Sequence, residues 1–277
     1  MGLGMARTRK SRFTAALALV TGALAFAAPS LARSEESPAP TTAIAPPPLS
    51  PACAAPNADI AAPTTLPALS AALKARKSAR LLAIGSSSTV GVGASSGAKS
   101  YPAQLEAILE HALQGADLDI INRGVSGETA DIAAERLKSE VVLAKPDLVL
   151  WQLGTNDAIA RIPVDQFENT VRSTVAWLKD NQIDVVLVGM QYTPRLARDP
   201  NYAAIRDGLK RIAQEQNVLY VRRYDAMRYI AQAHANLELM SKDDFHLNDL
   251  GYQCMAEHVA HAMILSLFPI KARRPAE

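Results

Sequence analysis

From about residue 80 onward, short apolar runs alternate with stretches in which apolar side chains recur every three to four positions. The runs Arg80–Ile84, Leu118–Asn122, Leu148–Leu153, Val185–Gly189 and Leu219–Val221 read as strands, and Leu148-Val149-Leu150-Trp151 and Val185-Val186-Leu187-Val188 are apolar at every position, as a strand covered on both faces requires. Helical spacing falls between them, at Tyr101–Leu113, Glu128–Leu143, Val164–Asn181, Ile205–Gln216 and Tyr224–Ala235, with a first helix from about Leu66 through Lys77 and a last one over Asn248–Leu267. Strands separated by helical crossovers predict right-handed βαβ units, hence an α/β protein: a three-layer α/β/α sandwich around a five-stranded parallel sheet. Such sheets hold ligands at the carboxyl ends of their strands, so the residues just after each strand are where chemistry is sought.

The first 65 residues lack this alternation. Arg7, Arg9, Lys10 and Arg12 precede a neutral run from Phe13 to Ala28 that ends near Ser30-Leu31-Ala32, the pattern of a secretory signal peptide over residues 1–32. The alternative is an uncleaved anchor helix, the one route to a membrane that the chain offers. Residues 33–65 are rich in Pro, Ala, Thr and Ser and include Pro46-Pro47-Pro48, which predicts a disordered leader acting as a tether. The folded domain is then expected over residues 66–270, with a tail at 271–277, in a periplasmic or secreted protein. Two cysteines are present, Cys53 in the leader and Cys254 in the last helix; export permits a bond between them, with two free thiols as the alternative.

Charge changes little in this picture. Lys and Arg number 29 against 27 Asp and Glu, a formal net charge of +2 that turns mildly negative once the basic leader is removed. Neither that balance nor 5% aromatic content suits a nucleic-acid groove.

The strand ends carry the chemistry. Strand one runs into Gly85-Ser86-Ser87-Ser88-Thr89, where a serine on a strand-to-helix turn can act as a nucleophile, although serines there commonly serve as helix caps. Gly91 and Gly93 begin a dinucleotide-binding spacing that Ser96 leaves incomplete. Strand two ends in Asn122-Arg123-Gly124-Val125-Ser126-Gly127, whose glycines allow close backbone approach to a ligand, and strand three in Gly154-Thr155-Asn156-Asp157, which supplies a neutral amide donor. Late in the chain, Asp243-Asp244-Phe245-His246 sets a histidine three residues after an aspartate, a spacing that lets the carboxylate orient the ring. His258 and His261 form at most half of a metal site, with no third ligand evident, and His111 and His234 read as solvated helix positions.

Gly85–Thr89, Asn122–Gly127, Gly154–Asp157 and Asp243–His246, in that order, resemble the four blocks of the SGNH (GDSL-type) hydrolases over about Arg80 to Phe268. The resemblance implies the flavodoxin-like SGNH fold and acyl transfer with no cofactor and no metal. It implies Ser87 as nucleophile, His246 as base and Asp243 as its orienting partner, with an oxyanion hole made by the backbone N–H groups of Ser87 and Gly127 and the Asn156 amide. Ser86 stands where the family usually has the Asp of Gly-Asp-Ser, which leaves Ser86 and Ser88 as alternative nucleophiles, and the adjacent carboxylate of Asp244 is an alternative to Asp243. The expected substrate is a small ester or an acylated carbohydrate, met at a mouth formed by residues 93–101 and by Gln191, Tyr192, Arg195 and Arg198. Acyl transfer to a sugar hydroxyl, or a binding module that has kept the fold, are the other readings.

Overall fold

The computed structural model describes residues 45–76, 78–234 and 236–268. The expected signal peptide (1–32), the first part of the expected leader and the tail (271–277) lie outside the described residues.

The elements run in order as a 3-10 turn Pro51–Cys53, α1 (Asn57–Ile60), β1 (Ala61–Ala62), α2 (Pro67–Arg76), β2 (Ser78–Gly85), α3 (Ser87–Val90), α4 (Tyr101–Ala112), β3 (Asp117–Gly124), α5 (Ala130–Ala144), β4 (Leu148–Gln152), α6 (Thr155–Ile159), α7 (Val164–Asp180), β5 (Asp184–Val188), α8 (Pro200–Gln216), β6 (Leu219–Val221), α9 (Arg223–Ala233) and α10 (Asp249–Leu267). Six strands form one sheet in the order β1-β6-β5-β4-β2-β3. The five strands from β2 to β6 pair in parallel, and β1 adds an antiparallel edge through Ala61 opposite Val221 and Ala62 opposite Tyr220.

Strand alternation divides the core in two. Leu81, Ala83, Leu148, Leu150, Val186 and Val188 pack with residues of α2, α4 and α10 on one face. Leu82, Ile84, Val149, Trp151, Val185 and Leu187 pack with residues of α5, α7 and α8 on the other. The α/β/α sandwich read from the sequence is therefore present, each fully buried Val or Leu contributing about 1.5–3 kcal/mol. Pairing aligns Gly124, Gly85, Gln152 and Val188 in one row across the carboxyl edge, so the loops that follow all leave from one level.

Two expectations are corrected. The sheet has six strands and not five, and residues 51–62 of the expected tether form structure on the domain. Patterning concealed both, because this segment is held by groups that periodicity does not report. Backbone pairing to β6 is joined by Arg222 N–H donating to Ile60 O at 2.7 Å, Ser50 N–H to Glu257 Oε2 at 2.8 Å, and His258 Nε2–H to Cys53 O at 2.7 Å. His261 bonds Asn57 Oδ1 at 3.0 Å, so both imidazoles of the half metal site face the N-terminal segment, and burial lowers the proton affinity of each. Cys53 and Cys254 are joined by a disulfide. Helix α8 also begins five residues ahead of Ile205, since Asp199 caps it by accepting Asn201 N–H at 2.9 Å and Pro200 fits the first turn.

The disulfide closes a loop across a sequence separation of 201 residues. Replacing both cysteines by serine is expected to lower unfolding free energy by about 2–5 kcal/mol in denaturant titration. An unchanged midpoint would mean that the hydrogen bonds alone hold the N-terminal segment.

Candidate active site

Strand β2 delivers its serines through a sharp turn. Gly85 has φ of 149°, and a Cβ there would press on the Gln152 backbone and Thr89 Oγ1, so glycine is needed. Ser86 then sits at the N-cap position of α3. Its backbone N–H and its hydroxyl both donate to Gln152 Oε1, at 3.1 and 3.0 Å, and Thr89 Oγ1 donates to the same oxygen at 3.3 Å. Ser86 is thus turned to the end of β4, and Ser88 Oγ accepts from Arg223. Of the three serines it is Ser87 whose Oγ meets a histidine, His246 Nε2, at 3.0 Å.

The histidine comes from a loop clasped at both ends. Ser241 N–H donates to His246 O at 2.7 Å, and Met240 bridges Leu247. Asn248 caps α10 through Gly251 N–H and holds Glu238 O and Met240 O with its amide, while Asp249 accepts from Ser95 N–H at 2.7 Å and Ser95 Oγ at 2.6 Å. Within the loop, Asp243 Oδ2 lies 2.5 Å from His246 Nδ1, and its Oδ1 accepts from Ser241 Oγ and from the backbone N–H groups of Phe245 and His246. These donors, the ring first among them, hold the Asp243 carboxyl far below the usual carboxylate range. The neighbouring Asp244 is exposed, with its backbone in the left-handed region at φ 54°. With Nδ1–H donating to Asp243, Nε2 carries the lone pair that can accept the Ser87 proton.

The third component is a pair of N–H donors. Gly127, at φ of 81°, follows the turn in which Val125 N–H donates to Gly85 O at 2.8 Å, and a Cβ at Gly127 would meet nothing within 4 Å, so its face is open. Asn156, on α6, donates one amide N–H to Glu128 O at 2.8 Å, which fixes the side chain and leaves its second N–H available. Buried Asp157 ties these pieces together by accepting Ala130 N–H at 2.8 Å and Gly154 N–H at 3.2 Å. Burial pushes its carboxyl above the ordinary aspartate value.

Ser87, His246 and Asp243 are therefore brought together in one chain of contacts, and Gly127 and Asn156 lie on the loops of the same sheet edge. Cys53 and Cys254 lie elsewhere, Cys254 on α10 and Cys53 packed against it beside Ile230 and Leu239. Sequence reading missed Gln152 and Arg223, both buried beside the site; glutamine at a strand end and arginine at a helix start carry no local signature. Gln191 was expected at the mouth but is 2% exposed, its Nε2–H donating to Phe245 O at 2.9 Å. A cavity of about 1420 Å³ reaches the site at Asp243, lined by Gly93, Tyr192, Arg195, Met227 and Lys242 among others. Another, about 740 Å³, lies at the opposite edge of the sheet around Arg76, Asp147 and Asp184, away from the serine turn.

A sheet edge bearing this serine turn, donor pair and histidine loop has the arrangement of the SGNH-type hydrolases. The chain belongs to the Non-GDSL lipase-like family, whose model matches residues 52–267. An arylesterase of Vibrio mimicus is 28% identical over 171 residues, which cover 61% of this chain and 80% of that protein. An acetylxylan esterase of Geobacillus stearothermophilus is 27% identical over 137 residues, 44% of this chain and 61% of that one. Among solved structures, a two-domain esterase active on acetylated mannans superposes with a TM-score of 0.64 at 19% identity, covering 80% of this chain and 58% of that one, a likeness of fold.

Gln152 is the anchor of the serine turn. Gln152→Leu strands the Ser86 N–H and the Ser86 and Thr89 hydroxyls in the interior, and is expected to cost about 1–3 kcal/mol of stability in chemical denaturation. A loss below about 0.5 kcal/mol, the scatter of surface substitutions, would show that the turn holds without it.

Proposed function

We propose that this SGNH-type ester hydrolase is an exported serine esterase that removes short acyl groups, O-acetyl groups on polysaccharide among them, through an acyl-serine intermediate. The observation that carries the reading is the contact of Ser87 Oγ with His246 Nε2 at 3.0 Å, continued from His246 Nδ1 to Asp243.

In this reading His246 Nε2 takes the Ser87 proton as Oγ bonds to the ester carbonyl carbon. The carbonyl electron pair moves onto oxygen, where the N–H groups of Ser87 and Gly127 and the second Asn156 N–H donate. Collapse breaks the bond to the alcohol, which departs with the His246 proton. Water then loses a proton to His246 as it attacks the acyl-serine, and His246 returns that proton to Ser87 Oγ as the acid leaves. Asp243, held ionised by its donors, stabilises the imidazolium that forms twice per turnover.

Three features support a short acyl group on a bulky polar alcohol. Asp243 has its side chain 48% exposed, so the chain of contacts from Ser87 reaches the surface at its acidic end. The adjoining cavity exceeds the roughly 300–1,000 Å³ of a typical small-ligand site, and its lining combines Met227 and Leu239 with Arg195, Glu238 and Lys242, a mixture suited to sugar faces and hydroxyls. Relatives named for acetylxylan and for acetylated mannans point to the same class. Export is supported by the basic and apolar pattern of residues 1–32. A Cys53–Cys254 disulfide is in keeping with an oxidising compartment.

Hydrolysis of p-nitrophenyl acetate, butyrate and longer esters tests the proposal, with intact-mass detection of the acyl-enzyme. Ser87→Ala is expected to lose at least about a hundredfold in kcat/KM and to abolish the adduct, and activity is expected to fall as the acyl chain lengthens. Full activity in Ser87→Ala would remove Ser87 as nucleophile, and a rising chain-length profile would redirect the substrate toward lipid.

A further inference from the structure

Arg223 opens α9 and is 2% exposed, one of the largest fully buried side chains in the protein. Among the described residues it forms no ion pair. Nη1 and Nη2 each donate to Ser88 Oγ at 3.3 Å, Nη2 also donates to Gln191 Oε1 at 3.2 Å, and Nε has no acceptor. The ionisable groups that act on it are phenolic: Tyr101 from α4, Tyr202 from α8 and Tyr252 from α10. Burial raises all three hydroxyls, Tyr101 and Tyr252 to about 12, so they remain neutral around it. A guanidinium keeps its proton in proteins. A positive charge without a counter-ion is thus buried behind the serine turn, an expensive arrangement for a position that an apolar side chain of equal volume could fill.

Both of its partners lead to the reacting atoms. Ser88 follows Ser87 in α3. Gln191 donates to the carbonyl of Phe245, the residue before His246, and the Phe245 ring stands edge-on to the imidazole with centroids 4.9 Å apart. One side chain therefore joins the two segments whose separation sets the Ser87–His246 distance.

We propose that Arg223 is a positioning residue for acyl transfer: through Ser88 and Gln191 it keeps the serine turn and the histidine loop in register, and its unpaired charge favours the anionic tetrahedral adduct over the neutral ester. This rests on Ser87 being the nucleophile. A fixed charge in a weakly screened interior acts on the charge that develops in the transition state, and so on kcat more than on KM.

The test compares wild type, Ser87→Ala, Arg223→Met, Arg223→Lys and Gln191→Leu on p-nitrophenyl acetate, with rapid-mixing measurement of the acylation phase and denaturant unfolding of each variant. Arg223→Met is expected to lower the acylation rate about 10- to 100-fold with KM within about twofold of wild type. Arg223→Lys, which keeps the charge and loses the fork, is expected to recover roughly half of that loss on a logarithmic scale. Gln191→Leu, with the charge retained and the link to Phe245 cut, is expected to fall about three- to tenfold.

A folded Arg223→Met with wild-type acylation overturns the proposal, and so does a folded Arg223→Lys as slow as Arg223→Met, which would make the residue a filler of space. Should Arg223→Met fail to fold, Gln191→Leu decides, and a wild-type rate there overturns the coupling. An active wild type, dead Ser87→Ala and unaffected Arg223 variants would remove this inference alone. A wild type that neither turns over nor acylates would remove the esterase reading with it.

Discussion

Ser87 Oγ and His246 Nε2 come within 3.0 Å across 159 residues of sequence, and the rest of the site is arranged around that one contact. Neither residue lies on a strand, so its constancy depends on what holds two loops at one height. The parallel sheet supplies the common level, since Gly124, Gly85, Gln152 and Val188 pair in one row and the loops carrying Gly127, Ser87, Asn156 and Gln191 begin there, while the histidine loop between α9 and α10 is held to them by Gln191. Each loop is then fixed by a buried polar side chain: Gln152 under the serine turn, Asp157 between α5 and α6, Gln191 under the histidine loop. Hydrogen bonds of this kind contribute modestly to net stability, but leaving one partner bare in the interior is costly, and that asymmetry discourages every other arrangement of the loops.

The same logic accounts for Ser86 in place of the Asp of Gly-Asp-Ser. Here the position faces Gln152 Oε1, which already accepts the Ser86 backbone N–H. A hydroxyl adds a second donor to that oxygen, whereas an ionised carboxylate would set two acceptors against each other in a dry pocket. The turn has thus exchanged an acceptor for a donor at the residue before Ser87, and the Ser87 Oγ remains directed at the ring.

Most of the sheet was legible because buried parallel strands have a pattern of their own: all five strands read from apolar runs are present, with ends shifted by a residue or two. The site was legible in blocks, since glycines, asparagine and the Asp-x-x-His spacing fall just after strands or before a helix. The edge strand Ala61–Ala62 was not, because two alanines in a Pro-rich context carry no periodicity and their pairing uses backbone alone. The buried roles of Gln152, Gln191 and Arg223 were equally hidden. Their partners lie 66, 54 and 135 residues away in sequence, and what each does depends on the strand order, which no local pattern encodes.

That strand order also gives the N-terminal segment a physical reason to be attached. Helix α10 starts immediately after the histidine loop, capped by Asn248, so any tilt of α10 is passed to His246 within three residues. Cys53, His258 and Glu257 fasten residues 50–53 to the middle of that helix, while Ala61 and Ala62 pair alongside the short strand β6 and Ile60 O accepts from Arg222 N–H at the start of α9, where Arg223 stands. A three-residue strand at the edge of a sheet is among the first elements to open. Covering it with β1 and tying that cover through the disulfide to α10 braces from outside the two helices that carry the histidine loop and the buried guanidinium. The segment whose composition reads as a tether is therefore, over residues 50–62, fastened to the helix that follows the histidine loop and to the strand that precedes Arg223.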